Sequence, residues 1–224
     1  PKLCIVLVNY KGYKDTIECI ESILKSDYQN FQIIVIDNSP DYESVDQFKR
    51  WAISDVEVVT DYPNIIFPLA SKPIEYIFLT QNQFEETTDV YREKLIIVKA
   101  SENRGFAAAN NIGARYVMKF DVFNYLWLLN NDTVLFTDSI SNMLEPIIFP
   151  AYKYVGIIGV KQLYYSNSNR IQACGAVYNK FWSLSKHIGE YEIDKGQYDH
   201  CIDTSDYVVG ASMLVSVGFL LDVG

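Results

Sequence analysis

Three polar clusters interrupt the apolar runs of this 224-residue chain: Asn9-Tyr10, Asp37-Asn38 and Asn131-Asp132. The last carries the most chemical meaning. A carboxylate carried by an apolar strand to its exposed tip can hold Mg²⁺ or Mn²⁺ with few protein ligands. Such a cation keeps several waters and takes the rest of its shell from substrate phosphates. An Asx-turn without a metal accounts for the same pair of residues.

The elements that would position these clusters follow from hydrophobic patterning. Leu3 to Val8 is a continuous apolar run rich in β-branched residues, as expected of a central parallel strand covered on both faces. Ile17, Ile20, Ile23 and Leu24 then recur at helical spacing, with Asp15 and Glu18 placed as a capping box. Phe31 to Ile36 reads as a second strand that runs into Asp37-Asn38-Ser39-Pro40, which completes a βαβ unit. Residues 55–94 hold Pro63, Pro68 and Pro73 and little clean periodicity, and read as an insertion with strands of its own near Ile74 to Leu79. Beyond it the pattern predicts strands at Leu95 to Lys99, Tyr125 to Leu129 and Val155 to Val160, and helices at Gly105 to Lys119 and Ser139 to Ile148. The three polar clusters thus fall at the C-terminal ends of strands, the edge where open parallel sheets bind ligands.

Composition narrows the function. The length suits one α/β domain spanning residues 1–224. A formal net charge of −9 argues against a nucleic-acid surface, which needs clustered Lys and Arg. Phosphate-bearing small substrates stay open, since a bound metal supplies positive charge locally. Cys4, Cys19, Cys174 and Cys201 lack metal-ligand spacing and read as buried thiols in a reducing compartment. The apolar stretch from Tyr207 to Leu221 is shorter than a membrane span and reads as buried core.

Several stretches occur in order: Leu-Cys-Ile-Val-Leu-Val-Asn-Tyr (3–10), Ile-Ile-Val-Ile-Asp-Asn-Ser (33–39), Glu-Asn-Arg-Gly-Phe-Ala-Ala-Ala-Asn-Asn-Ile-Gly (102–113), Trp-Leu-Leu-Asn-Asn-Asp-Thr (127–133) and Asp-Tyr-Val-Val-Gly-Ala-Ser-Met-Leu (206–214). Together they resemble family 2 glycosyltransferases, especially the rhamnosyltransferase-like branch. The resemblance covers nearly the whole chain except about residues 55–94.

That resemblance implies a GT-A type fold: a mostly parallel sheet flanked by helices, with an insertion after the second strand region. It implies inverting, metal-dependent transfer of a sugar from a nucleoside-diphosphate sugar to a glycan or lipid-linked acceptor. Asn9 and Tyr10 match the strand end beside the base and ribose, and Asp37 the acid that accepts from one of them. Asn103, Arg104 and Gly105 match the loop that closes over the nucleotide. Asn131 and Asp132 match the metal motif, in which Asp132 holds Mg²⁺ or Mn²⁺. Asn130 stands where a full motif has its first acid. The resemblance places the general base shortly after the Gly210-Ala211 loop, so it is expected beyond Gly224, in a chain that ends early and transfers sugar poorly. Asp206 is the candidate within the chain, Asp203 an alternative, and His187 or His200 a late metal ligand. An early end would uncover apolar surface at Met213 to Val223 and favour self-association. By analogy the acceptor belongs to bacterial polysaccharide biosynthesis on the cytoplasmic side of a membrane, with peripheral membrane association. A sugar-phosphate nucleotidyltransferase is disfavoured because the loop Asn9 to Lys14 has a single Gly. A binding module without a base is the remaining alternative.

Overall fold

A computed structural model describes residues 1–148, 155–199 and 205–223. Three strands form the centre: β1 (Leu3–Asn9), β2 (Phe31–Asp37), and a later strand at Leu95–Lys99. Every residue in them is buried, as continuous apolar runs require. Between the first two lies α1 (Tyr13–Leu24), and after β2 come α2 (Glu43–Ala52) and α3 (Pro63–Ile66). β3 (Tyr76–Thr80) and α4 (Gln81–Glu86) precede the Leu95–Lys99 strand, which is therefore β4. α5 (Phe106–Lys119), β5 (Tyr125–Asn130) and α6 (Ser139–Leu144) follow.

The seven-stranded sheet has the order β3-β4-β2-β1-β5, then β11 (Ser212–Ser216) and β6 (Ile157–Gly159). Its first five strands are parallel; β11 runs antiparallel to both β5 and β6. Two small two-stranded sheets lie apart from it. One pairs β7 (Gln162–Tyr164) with β8 (Asn167–Ala173), and the other pairs β9 (Ala176–Asn179) with β10 (Leu184–His187). α7 (Val217–Val223) ends the described chain.

Strand alternation divides the core into two layers. Leu3, Ile5 and Leu7 pack with Ile17, Ile20, Phe48 and Trp51, while Cys4, Val6 and Val8 pack with Ile112, Tyr116 and Val117 of α5. Contact with α5 is close enough that a Cβ at Gly113 would meet Val6 Cγ2 at 2.5 Å.

Three expectations change. Asp15 and Glu18 do not cap α1. The helix starts at Tyr13 behind an N-cap at Gly12 that has no side-chain cap hydrogen bond, and the Gly12 N–H itself donates to Asn9 Oδ1 at 3.2 Å. The strand expected near Ile74 does form, but as β3 it joins the edge of the main sheet, parallel to β4. Tyr207 to Leu221 is core only in part. Ser212, Leu214 and Val215 are buried, because β11 is flanked by β5 and β6, whereas α7 fully buries no residue and packs only Val217 and Leu220 partly against the α5 layer. Cys4 and Cys19 are buried and Cys174 is half-buried. Cys201, His200 and Asp203 lie outside the described residues.

Candidate active site

Register sets the three polar clusters in a row. Asn9 pairs with Asp37, and Val8 with Asn130, so residue 131 follows on the other side of Asn9. Adjacent parallel strands lie about 4.8 Å apart, which keeps all three tips on one edge. The strand order also reverses here, because β2 and β5 flank β1 on opposite sides. In an open α/β sheet that switch point is where a ligand crevice forms.

Asn9 and Asp37 turn inward. Both are fully buried. Asn9 Nδ2 donates to Asp37 Oδ1 (2.7 Å), and Asn9 Oδ1 accepts from Thr16 Oγ1 (3.0 Å). Ser39 Oγ also donates to Asp37 Oδ1 (2.7 Å), and Lys99 Nζ donates to Asp37 Oδ2 (2.9 Å) and to the Ser39 carbonyl. A buried charge stays ionised only when paired and hydrogen-bonded, and Lys99 provides the pairing from β4. Both Asp37 oxygens are thus engaged within the protein. The resemblance expects a group at this tip that accepts from base or ribose, and the side chain that lines the cleft is the next one, Asn38.

A cleft of about 600 Å³ opens beside this network, lined by Tyr10, Asn38, Tyr42, Lys99, Ser101 and Asn103 among others. Asn38 Nδ2 donates to Asn103 Oδ1 (3.1 Å) and to the Gly105 carbonyl (3.3 Å), while Gly105 N–H donates to Asn103 Oδ1 (2.8 Å). These bonds fix the 101–105 loop as one wall. Gly105 has φ of 87°, and a Cβ there would meet nothing within 4 Å, so backbone conformation rather than space requires glycine. Arg104 pairs with Glu102 at 2.6 Å in an exposed contact, and such surface pairs contribute little. Asn38 belongs to one of the three polar clusters read from the sequence, although the resemblance assigns it no role; Tyr42 and Asn82, which also line the cleft, carry no signal in the sequence.

At the neighbouring tip Asn131 is half-buried and Asp132 exposed. Asn131 Nδ2 donates to Thr16 Oγ1 (2.8 Å), which leaves Oδ1 as its ligand atom. Among the described residues no group of three or more His, Cys, Asp or Glu is placed to hold a metal ion. The arrangement does not make an all-protein cage. It does fit a hard cation held by one carboxylate and completed by phosphate and water oxygens. His187 is half-buried on β10.

The loop before β11 passes the same tip, since Asn130 N–H donates to the Ala211 carbonyl at 2.8 Å. Within that loop Asp206 Oδ2 accepts the Tyr178 N–H at 2.7 Å, which ties the loop to β9. Tyr165 is also engaged, with its hydroxyl donating to Glu18 Oε1 (2.9 Å), and Tyr164 stacks on Tyr191 at 5.4 Å. Trp182 is exposed.

Comparison with known proteins agrees with this architecture. Residues 4–84 and 68–205 match the family described as Glycosyl transferase family 2. A search of curated proteins returned no match. Among solved structures the chain is similar to GalNAc-T7 with UDP, GalNAc and Mn²⁺, at TM-score 0.57 and 12% identity, covering 100% of this chain and 36% of that one. It is also similar to S. aureus TarS 1-349 (TM-score 0.48, 12% identity, 99% and 49% covered). The mannosyltransferase PcManGT from Pyrobaculum calidifontis, in complex with GDP-Man and Mn²⁺, gives TM-score 0.47 and 18% identity, with 72% and 36% covered. The chain therefore spans less than half the length of each of these structures. On its sequence match over most of its length, the chain belongs to glycosyl transferase family 2, and its sheet has the GT-A fold.

Proposed function

We propose that this chain binds a nucleoside-diphosphate sugar and takes part in inverting, metal-dependent transfer of the sugar to a glycan or lipid-linked acceptor. One observation carries the reading. A polar cleft opens at the same sheet edge as the exposed Asp132 carboxylate, with the buried Asn9–Asp37–Lys99 network beneath it. The cleft offers amide groups at Asn38 and Asn103 for a base or ribose edge, and the exposed Tyr10 ring for stacking.

Asp132, with Asn131 Oδ1 beside it, would hold Mg²⁺ or Mn²⁺. A divalent cation bound there would stabilise the charge that grows on the diphosphate leaving group. Asn103 and Gly105 shape the wall that covers the nucleotide, and Arg104, on the exposed side of that wall, supplies positive charge towards the phosphates. Inversion also needs a carboxylate to take the acceptor proton on the opposite face. Asp206 is committed through Oδ2 to the Tyr178 N–H, which supports a role in positioning the loop beside Asp132 more than one as the base. The similar GalNAc-T7 structure holds UDP, GalNAc and Mn²⁺, which supports this donor class.

Calorimetric titration with a panel of nucleoside diphosphates, with and without Mn²⁺, tests the proposal. At least one should bind, and Asn38→Leu should weaken it by about tenfold, the equivalent of roughly 1.4 kcal/mol. Absence of binding across the panel in the presence of Mn²⁺ would contradict it.

A further inference from the structure

Charge is unevenly distributed along the chain. Residues 146–189 hold five Lys and Arg and no Asp or Glu, so the other 180 residues hold 14 basic and 28 acidic side chains. The β9–β10 hairpin lies inside this basic stretch. Lys180 stands beside its turn and Lys186 on β10, both exposed. Lys161, by contrast, is committed to Asp194 and Asp199.

The hairpin also presents its apolar groups to solvent. Pairing of Ala176 with His187 and of Val177 with Lys186 gives the ribbon two faces. Ala176 is buried at the base of its face, while the other face carries Val177, Leu184 and Lys186, all exposed. At the turn Phe181 is 84% exposed and Trp182 68%, and Leu184 next to them is 66% exposed. The turn is ordered by its own bonds: Asn179 Oδ1 accepts from both Phe181 N–H (3.0 Å) and Trp182 N–H (3.1 Å). The two rings meet edge to face at 5.0 Å. Exposed aromatic and aliphatic groups gathered in this way, on a hairpin with basic residues and no acidic one, fit an anionic lipid interface. Tryptophan partitions to headgroup depth, and lysines gain energy from anionic lipids.

We infer that the β9–β10 hairpin docks on an anionic phospholipid bilayer, with Phe181, Trp182 and Leu184 entering the interface and Lys180 and Lys186 on the headgroups. A soluble sugar would have no use for the flanking charge, and a second copy of a chain with net charge −9 would be repelled outside this stretch. The hairpin stands on the loop beside Asp132: Ala176 N–H donates to the Tyr207 carbonyl (3.0 Å) and Tyr178 N–H to Asp206. Docking would therefore hold the Asp132 edge at a set height above the membrane, where a lipid-linked acceptor would reach it. That consequence rests on the transferase reading; the docking itself does not.

The test is flotation of the full chain with equimolar phosphatidylglycerol–phosphatidylcholine vesicles, beside phosphatidylcholine alone. Of the three tryptophans, Trp51 and Trp127 are buried, so a lipid-induced blue shift of emission reports Trp182. Binding is expected on anionic vesicles only, and should fade as salt shortens the Debye length from about 8 Å to about 3 Å. Phe181→Ser/Trp182→Ser should lower partitioning more than about tenfold, and Lys180→Glu/Lys186→Glu by about fivefold or more per charge removed. Unchanged thermal melts establish that these exposed substitutions leave the fold intact. The inference is overturned if the chain ignores anionic vesicles, or if both double variants bind them as the parent does. It is also overturned if Trp182 emission answers to soluble oligosaccharides and not to vesicles, or if the tip variant abolishes a dimer seen in sedimentation while vesicles have no effect. Nucleoside diphosphate binding, measured on the same samples, reports separately on the donor cleft, so failure of one reading is distinguishable from failure of the other.

Discussion

Asp37 and Asp206 are two carboxylates in regions built on opposite plans. Asp37 ends a strand whose every residue is buried, and its oxygens are held by Asn9, Ser39 and Lys99 from three separate parts of the chain. Asp206 is exposed and accepts the Tyr178 backbone N–H. The regions around them differ likewise. Residues 1–148 supply five parallel strands and nearly all of both core layers, whereas residues 162–187 form short two-stranded ribbons whose buried apolar groups are Ile171, Ala173 and Ala176. A nucleotide cleft needs side chains held in one geometry, which non-local packing provides. A surface that meets a variable or membrane-borne partner can be held by local hydrogen bonds, at lower local stability.

Substitution of the two carboxylates should break this contrast most sharply. Asp37→Ala leaves Lys99 buried without its counter-charge, and loss of one partner of a buried pair costs about 3–5 kcal/mol. Asp206→Ala removes one exposed hydrogen bond and should cost within about 1 kcal/mol. Urea denaturation of both variants measures the difference. Similar losses would mean that the two regions are equally constrained.

Glycines offer a second, smaller comparison. Gly113→Ala would drive a methyl into Val6, and overpacking of this kind costs about 1–3 kcal/mol, less a gain of up to about 1 kcal/mol from helix propensity. Gly210 has nothing within 4 Å of a Cβ, so Gly210→Ala should be close to neutral. Thermal melts of the pair decide it.

Thiol chemistry gives the smallest expected signal, since it should be silent. Burial pushes the Cys19 thiol up to about 12 and raises Cys4 further still. The reactive thiolate of both is therefore nearly absent from neutral to mildly alkaline pH. Neither should be alkylated in the native protein at pH 8, while both react once urea unfolds it. Peptide mapping after iodoacetamide treatment reads the result, and rapid native labelling of Cys19 would show that the α1–β5 contact opens.

The same contrast governs how much the sequence discloses. β1, β2, β4, β5 and α5 are legible because a buried strand must be apolar throughout and a core-facing helix must repeat its apolar residues. The β8 strand, Asn-Ser-Asn-Arg-Ile-Gln-Ala, buries only Ile171 and Ala173, so no periodicity announces it. The three polar tips were legible as one edge, through the rule that ligands gather at the C-terminal ends of parallel strands. Their division of labour was not. Asp37 is internal because Lys99, 62 residues away, reaches it across the β2–β4 pair, and such a partner has no local signature. Likewise Asp15 and Glu18 have the spacing of a capping box, but α1 already starts at Tyr13, so both lie inside the helix.

Calorimetry of Asp132→Asn against the parent chain, with a nucleoside diphosphate and with or without Mn²⁺, tests the account most directly. The side chain is exposed and the change is isosteric, so the fold should melt as before, within about 0.5 kcal/mol. The account predicts that Mn²⁺ strengthens nucleotide binding to the parent by at least about tenfold, and that the variant loses this enhancement while keeping the metal-independent affinity of the cleft. Equal Mn²⁺ enhancement in both proteins would contradict it.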